Sequence, residues 1–191
     1  MSSSAPSLIT PSEYLDLERK AELRNEYVDG RMREMPRTNI LHSLIGGNLL
    51  GELHSQLRRR ACEVFASAFR VKVTSTGMYT YPDVVALCGK AELEDDHQDT
   101  LLNPSVIIEV LSESTEAYDR GEKFAHYRRL NSLREYVLVS QNQMRIEHYR
   151  RDEDQWILSE VSGSDAVLHL ESIDCHLAVS TIYEQVEFDL R

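Results

Sequence analysis

Two short runs in this chain are apolar on both faces, and each carries one carboxylate. They read Asp83-Val84-Val85-Ala86-Leu87 and Val106-Ile107-Ile108-Glu109-Val110-Leu111. Continuous apolar runs of this length suit central strands of a sheet covered on both sides. A carboxylate in such a strand is costly unless it is hydrogen-bonded, paired with a cation or bound to a metal. If the two strands are neighbours, about 4.8 Å apart, Asp83 and Glu109 can both reach one cation at the strand ends. The two carboxylates thus constrain the fold and also nominate its chemistry.

Plainer readings stand beside this one. Asp83 follows Pro82 at a strand entrance, where an aspartate can simply accept hydrogen bonds from turn amides. Glu109 can belong to a structural ion pair. Asp119 and Lys123 are spaced i, i+4 in a helical stretch and can form a surface pair worth a few tenths of a kcal/mol. A lone histidine such as His42 is more often a packing or hydrogen-bonding residue than a ligand. His54, His97, His126, His148, His169 and His176 form no metal-ligand spacing.

The remaining elements follow from local signals. Thr10-Pro11-Ser12-Glu13 is a capping box with proline at the first helical position, predicting a helix to about residue 23. Asp29-Gly30 predicts a two-residue hairpin turn between residues 25–28 and 31–35. Thr38 can cap a second helix in which Leu41, Leu44, Ile45, Leu49, Leu53 and Leu57 recur at helical steps. Gly46, Gly47 and Gly51 within it suggest close packing against another element. Strands are expected at 62–66 and 69–74, a turn at 75–80, and a solvated loop at 92–102. A helix is expected at 116–130, with Ala117, Gly121, Phe124, Tyr127 and Leu130 on its buried stripe. A hairpin at 135–150, strands at 155–161 and 167–170, and a closing helix near 180–186 complete the chain. The order predicts an α/β (α+β) fold, with a mixed central sheet flanked by helices behind an N-terminal helix and β-hairpin. Residues 1–9 are expected as a flexible N-terminus and 10–188 as a single domain.

Composition limits the partners. The net charge of −11 argues against a broad nucleic-acid-binding surface, because phosphate affinity depends on basic groups. The acidity is concentrated, however: residues 152–191 hold ten acidic residues and one basic, leaving 22 acidic and 20 basic in the rest. A local basic groove near the two strands stays compatible with the charge. No apolar run approaches the roughly 18 residues of a membrane span, and Met1 to Pro6 lacks signal-peptide character, so a cytoplasmic protein is expected. Cys62, Cys88 and Cys175 are widely spaced and read as buried thiols.

Several segments together carry a family resemblance: Asn25-Glu26-Tyr27-Val28-Asp29-Gly30, His42, Tyr81-Pro82-Asp83-Val84-Val85, Ile108-Glu109-Val110-Leu111-Ser112, Asp119-Arg120-Gly121-Glu122-Lys123 with Tyr127, and Glu135-Tyr136-Val137-Leu138-Val139. In that order they resemble the Uma-two (Uma2) family of putative restriction endonucleases, within the PD-(D/E)XK nuclease superfamily. The resemblance spans roughly residues 10–188. It implies a restriction-endonuclease-like fold, Mg2+ or Mn2+ as cofactor, DNA as substrate and a homodimer. Asp83 and Glu109 match the two acidic residues of the signature, with the Val110 carbonyl as a further metal ligand. Leu111 stands where the superfamily has lysine, and Lys123 is the candidate replacement on the following helix. Glu26, His42, Asp119 and Tyr127 are possible accessory residues.

These features predict a metal-dependent endonuclease. A catalytically inactive nuclease-fold binding or regulatory protein is the alternative, and a structural subunit of a larger complex is a third reading. No helix-turn-helix, zinc module or partner methyltransferase is identifiable in the sequence.

Overall fold

The computed structural model describes residues 8–188. The first seven residues of the expected flexible N-terminus lie outside that range. Ile9 does not hang free: its N–H donates to Gly30 O at 2.9 Å and its carbonyl accepts from Tyr27 Oη at 2.8 Å.

Helix α1 (Pro11–Glu18) has the expected capping box, but it ends five residues early. Glu18 turns inward there to accept from the Asn25 backbone N–H at 2.9 Å, which ties the helix end to the next strand. Strands β1 (Asn25–Val28) and β2 (Arg31–Glu34) form the predicted hairpin, with positive φ at both Asp29 and Gly30. Helix α2 (Ile40–Leu57) is capped by Asn39 rather than Thr38, its side chain accepting from the His42 N–H. Ile45, Leu49, Leu53 and Leu57 form its buried stripe. The expected close packing at its glycines is not found, since a Cβ on Gly46, Gly47 or Gly51 would meet nothing within 4 Å.

Strands β3 (Cys62–Ala66), β4 (Arg70–Val73), β5 (Met78–Thr80), β6 (Val84–Cys88), β7 (Thr100–Leu101) and β8 (Val106–Leu111) follow. Two expectations need correction here. Residues 78–80, read as turn, form β5, because Gly77 at positive φ completes the reversal and frees Met78 to pair with Val73. The segment 92–102, read as a solvated loop, buries Thr100 and Leu101 in β7, which runs parallel to β4. The cysteine expectation also fails in part. Cys62 and Cys88 face each other across β3 and β6 in a disulfide, and Cys175 alone is a buried thiol.

Next come α3 (Glu116–Tyr118), a π-helical turn (Asp119–Lys123) and α4 (Phe124–Tyr127). Strands β9 (Glu135–Ser140), β10 (Arg145–Asp152), β11 (Gln155–Ser162), β12 (Val167–Leu170) and β13 (Cys175–Ala178) precede a last helix, α5 (Val179–Ile182). Strand β13 and the short 3-10 turn before it fill what the sequence leaves between strand and closing helix.

A six-stranded sheet in the order β11-β10-β9-β8-β6-β3 forms the centre, mixed because β8 and β9 are parallel. A five-stranded sheet, β2-β1-β5-β4-β7, and the β12-β13 hairpin pack around it. The period-two alternation of side chains splits the central strands between two cores. Val84, Ala86, Val106, Ile108, Val137 and Val139 face α2 and the C-terminal elements. Val85, Leu87, Ile107, Leu111, Tyr136 and Leu138 face β4, β5 and α4. No helix among the described residues is long and apolar enough to cross a membrane.

Two predictions follow from this packing. Gly47 lies exposed within α2 with space for a methyl group, so Gly47→Ala should stabilise the protein by up to about 1 kcal/mol in urea unfolding. Asp99, partly exposed, is paired with Arg19 and Arg70 at 2.9 and 2.8 Å. The Arg19 hydrogen bonds, outweighing partial burial and joined by the Arg70 charge, hold its carboxyl well below the usual range. A depressed carboxylate stabilises the fold above its unfolded pKa of about 3.9 and loses that contribution as pH falls toward the folded value. Asp99→Asn should therefore lower the urea midpoint at pH 7, and the gap to wild type should narrow at pH 3.

Candidate active site

Asp83 and Glu109 are brought together by strand pairing. Val84 lies opposite Ile108 in the antiparallel β6–β8 ladder, so one step further places Asp83 beside Glu109. Alternation then points both side chains to the face that also carries Val85, Leu87, Ile107 and Leu111. Asp83 Oδ2 accepts from the Val110 N–H at 2.8 Å and lies 3.1 Å from His42 Nε2. Thus the turn-amide reading of Asp83 becomes a cross-strand one, with the amide supplied by β8.

Lys123 reaches the same face from the π-helical turn. Its Nζ lies 2.8 Å from Glu109 Oε1, 3.1 Å from Glu26 Oε1 and 3.5 Å from Asp119 Oδ1. Tyr127 Oη donates to the same Glu109 oxygen at 2.8 Å, and the Thr80 hydroxyl donates to Glu26. The exposed-pair reading of Asp119 and Lys123 is therefore overturned, since they retain only 3% and 4% of their accessible surface. The helix stripe must be corrected with it: Phe124, Tyr127 and Leu130 are buried, while Ala117 and Gly121 are exposed. Asp119, Lys123 and Tyr127 are four residues apart, so they share the side of this segment that faces inward, and the first two lie in the π-helical turn.

The electrostatics follow from burial. Desolvation, aided by the Asp83 and Asp119 charges, pushes the Glu109 carboxyl up to about 8, against the opposing pull of Lys123. Burial likewise raises Asp119. For Glu26 burial acts upward, but the Lys123 charge and the Thr80 hydrogen bond prevail and lower it. Burial alone would lower Lys123, yet Glu109, Tyr127, Glu26 and Asp119 together hold it well above the ordinary lysine range. Lys123 is therefore an ammonium ion. Contacts from Lys123 Nζ, Tyr127 Oη and the Asp83 N–H to Glu109 oppose the upward push of burial on its carboxyl.

Asp83, Glu109, Val110, His42, Glu26, Asp119 and Lys123 all line one cleft of about 430 Å³, and Tyr127 closes it from beneath through Glu109. Asp83 Oδ1 has no protein partner among the described residues, and Glu109 Oε2 has only the Asp83 N–H at 3.3 Å. These hard oxygen donors suit Mg2+ or Mn2+, which take carboxylate ligands and keep several waters. The sequence missed Tyr118, Gln141 and Arg33 in this cleft, and Thr80 buried behind it against Glu26. Thr80 sat in a segment read as turn, and Tyr118 adjoins Asp119 without a distinguishing signal. Gln141 follows β9 in a polar turn, yet its Oε1 is buried and unpartnered. Arg33 places its guanidinium 4.7 Å above the Tyr118 ring at the cleft wall.

Comparison with known proteins bears on the family and the fold. The family profile described as "Uma2: Putative restriction endonuclease" matches residues 11–180. The chain is 34% identical over 160 residues to "Uncharacterized protein sll1609" of Synechocystis sp., covering 83% of this chain and 90% of that one. It is 35% identical over 181 residues to "Uncharacterized protein slr1290" of the same organism, covering 94% of each. A crystal structure described as a putative nuclease belonging to DUF820 from Anabaena variabilis superposes with a TM-score of 0.77 at 20% identity. That match covers 94% of this chain and 99% of the other, and at this identity it establishes a shared fold. The chain belongs to the Uma2 family of putative restriction endonucleases.

Proposed function

We propose that this protein is a metal-dependent endonuclease that hydrolyses DNA phosphodiester bonds in the cytoplasm, with Asp83, Glu109 and Lys123 as its catalytic residues. The observation that carries the reading is the convergence of these three residues from β6, β8 and the π turn on one cleft. Asp83 Oδ1, Glu109 Oε2 and the Val110 carbonyl would hold Mg2+ or Mn2+. When bound, such an ion activates water and stabilises the charge that develops on phosphate during in-line displacement.

The chain's own groups supply the rest. Val110 N–H and His42 fix the Asp83 carboxylate, and Tyr127 fixes that of Glu109. A lysine held above its ordinary pKa cannot take a proton from water, so Lys123 acts as a fixed positive charge. It orients the attacking water and offsets the negative charge of the transition state. Cutting both strands of a duplex calls for two such sites, which favours a homodimer.

One observation favours the inactive alternative. Lys123 already neutralises Glu109, Glu26 and Asp119 internally, a closed network that could serve structure alone. Magnesium titration by calorimetry separates the two: the endonuclease reading expects binding that weakens in Asp83→Ala and Glu109→Ala, and the inactive reading expects none that depends on them. In plasmid cleavage with Mg2+ or Mn2+, both variants should lose at least ~100-fold in rate, more than the usual cost of disturbing an outer-shell partner. Persistent cleavage in both would reject these residues, and linear rather than nicked product reports paired sites. Lys123→Met should leave three buried carboxylates uncompensated and destabilise the protein by about 3–5 kcal/mol in urea unfolding. A change below 1 kcal/mol would mean that the network does not hold Lys123 as described.

A further inference from the structure

A second constellation of metal-ligand side chains lies on the C-terminal hairpin, outside the cleft. His169 on β12 stands directly opposite His176 on β13, with ring centroids 3.9 Å apart. Asp174 immediately precedes β13, in the left-handed region at φ 49°. One ligand atom from each of these three residues lies within 4.8 Å of the others, and all three side chains are exposed. The sequence order His169, Asp174, His176 has no helical or zinc-finger spacing, so only the hairpin pairing makes the set.

We propose that His169, Asp174 and His176 form a surface site for a zinc-class transition-metal ion. Two imidazole nitrogens and one carboxylate oxygen select Zn2+, Ni2+ or Cu2+ over the harder Mg2+. At metal–ligand distances of about 2.1 Å, two ligand atoms on one ion lie at most about 4.2 Å apart. Small rotations of exposed side chains close the remaining gap, and three protein ligands leave one tetrahedral position for water.

The backbone under the site is already held in place. Leu168, Leu170, Cys175 and Leu177 are buried in the core, so strand alternation forces both histidines outward. From α2, Gln56 Nε2 donates to the His176 carbonyl at 2.7 Å and Gln56 Oε1 accepts from the His176 N–H at 3.0 Å. Arg60 Nη1, just past α2, donates to Ile173 O and Asp174 O at 3.0 and 2.7 Å. The same nitrogen lies 3.4 Å from Asp174 Oδ2, leaving Oδ1 for an ion. The Arg60 charge opposes a second cation, so the site is a moderate binder in which the imidazoles supply most of the affinity. Bound metal would clamp the two strands of the hairpin across their exposed face.

The test is calorimetric titration of the full chain with zinc chloride, in wild type, His169→Ala, His176→Ala and Asp83→Asn. Each histidine variant should weaken Zn2+ binding by at least ~10-fold, the least that removing a group hydrogen-bonded to a ligand costs, while Asp83→Asn should retain it. Zn2+ should raise the melting temperature of wild type and not of the histidine variants, whose metal-free melting should be unchanged. Equal affinity in wild type and both histidine variants would overturn the proposal, as would loss of binding in Asp83→Asn alone. Cu2+ electron paramagnetic resonance on wild type provides a check independent of mutant folding: nitrogen hyperfine lines removed by zinc are expected, and a spectrum without them rejects the site. The inference does not depend on the nuclease reading, since its readouts involve no cleavage.

Discussion

A buried ammonium ion among three buried carboxylates is the interaction on which this structure turns. Lys123 touches Glu109, Glu26 and Asp119, which come from β8, β1 and the π turn. Each of these groups would be prohibitively costly to bury alone, so they must be buried together. That requirement ties the N-terminal hairpin, the central sheet and the following helix into one arrangement. It also concentrates negative charge beside Asp83, at the end of the sheet where a cleft is open to solvent.

The rest of the fold serves this placement. Two apolar cores, one on each face of the six-stranded sheet, hold β6 and β8 from both sides and leave Asp83 and Glu109 to emerge at one edge. Tyrosines pack densely under the site, with Tyr127 edge-on to Tyr136 at 5.3 Å and Phe124 stacked on Tyr136 at 4.8 Å. Such rings supply burial while their hydroxyls satisfy polar groups, as Tyr127 does for Glu109 and Tyr136 for the Asp119 carbonyl. Asp119 and Lys123 share the inward side of this segment with Tyr127 through their four-residue spacing.

Much of this was legible in the sequence because it rests on local rules. The capping box at Thr10, the Asp29-Gly30 turn and the doubly apolar runs of β6 and β8 each have a short-range physical cause, and each formed as expected. The errors arose where distant residues decide. Cys62 and Cys88 are paired by strand register, not by spacing. The segment 92–102 is anchored by Arg19 and by β4, which lie far away in the chain. Glu135 shows the limit of reading function from burial: it too is a carboxylate in a fully buried strand, yet His148 and Ser172 satisfy it structurally.

By itself, then, the sequence determined which strands are central, that two carboxylates within them demand partners, and which family the ordered motifs resemble. These conclusions depend on periodicity and on the cost of desolvating a charge, both of which act along the chain. Only the tertiary structure decided that Lys123 is one of those partners, that Asp119 turns inward beside it, and that His169 and His176 meet across a hairpin. The packing of a helix on a sheet and a strand register set directions in space, and no pattern of residue types encodes a direction until the chain has closed on itself.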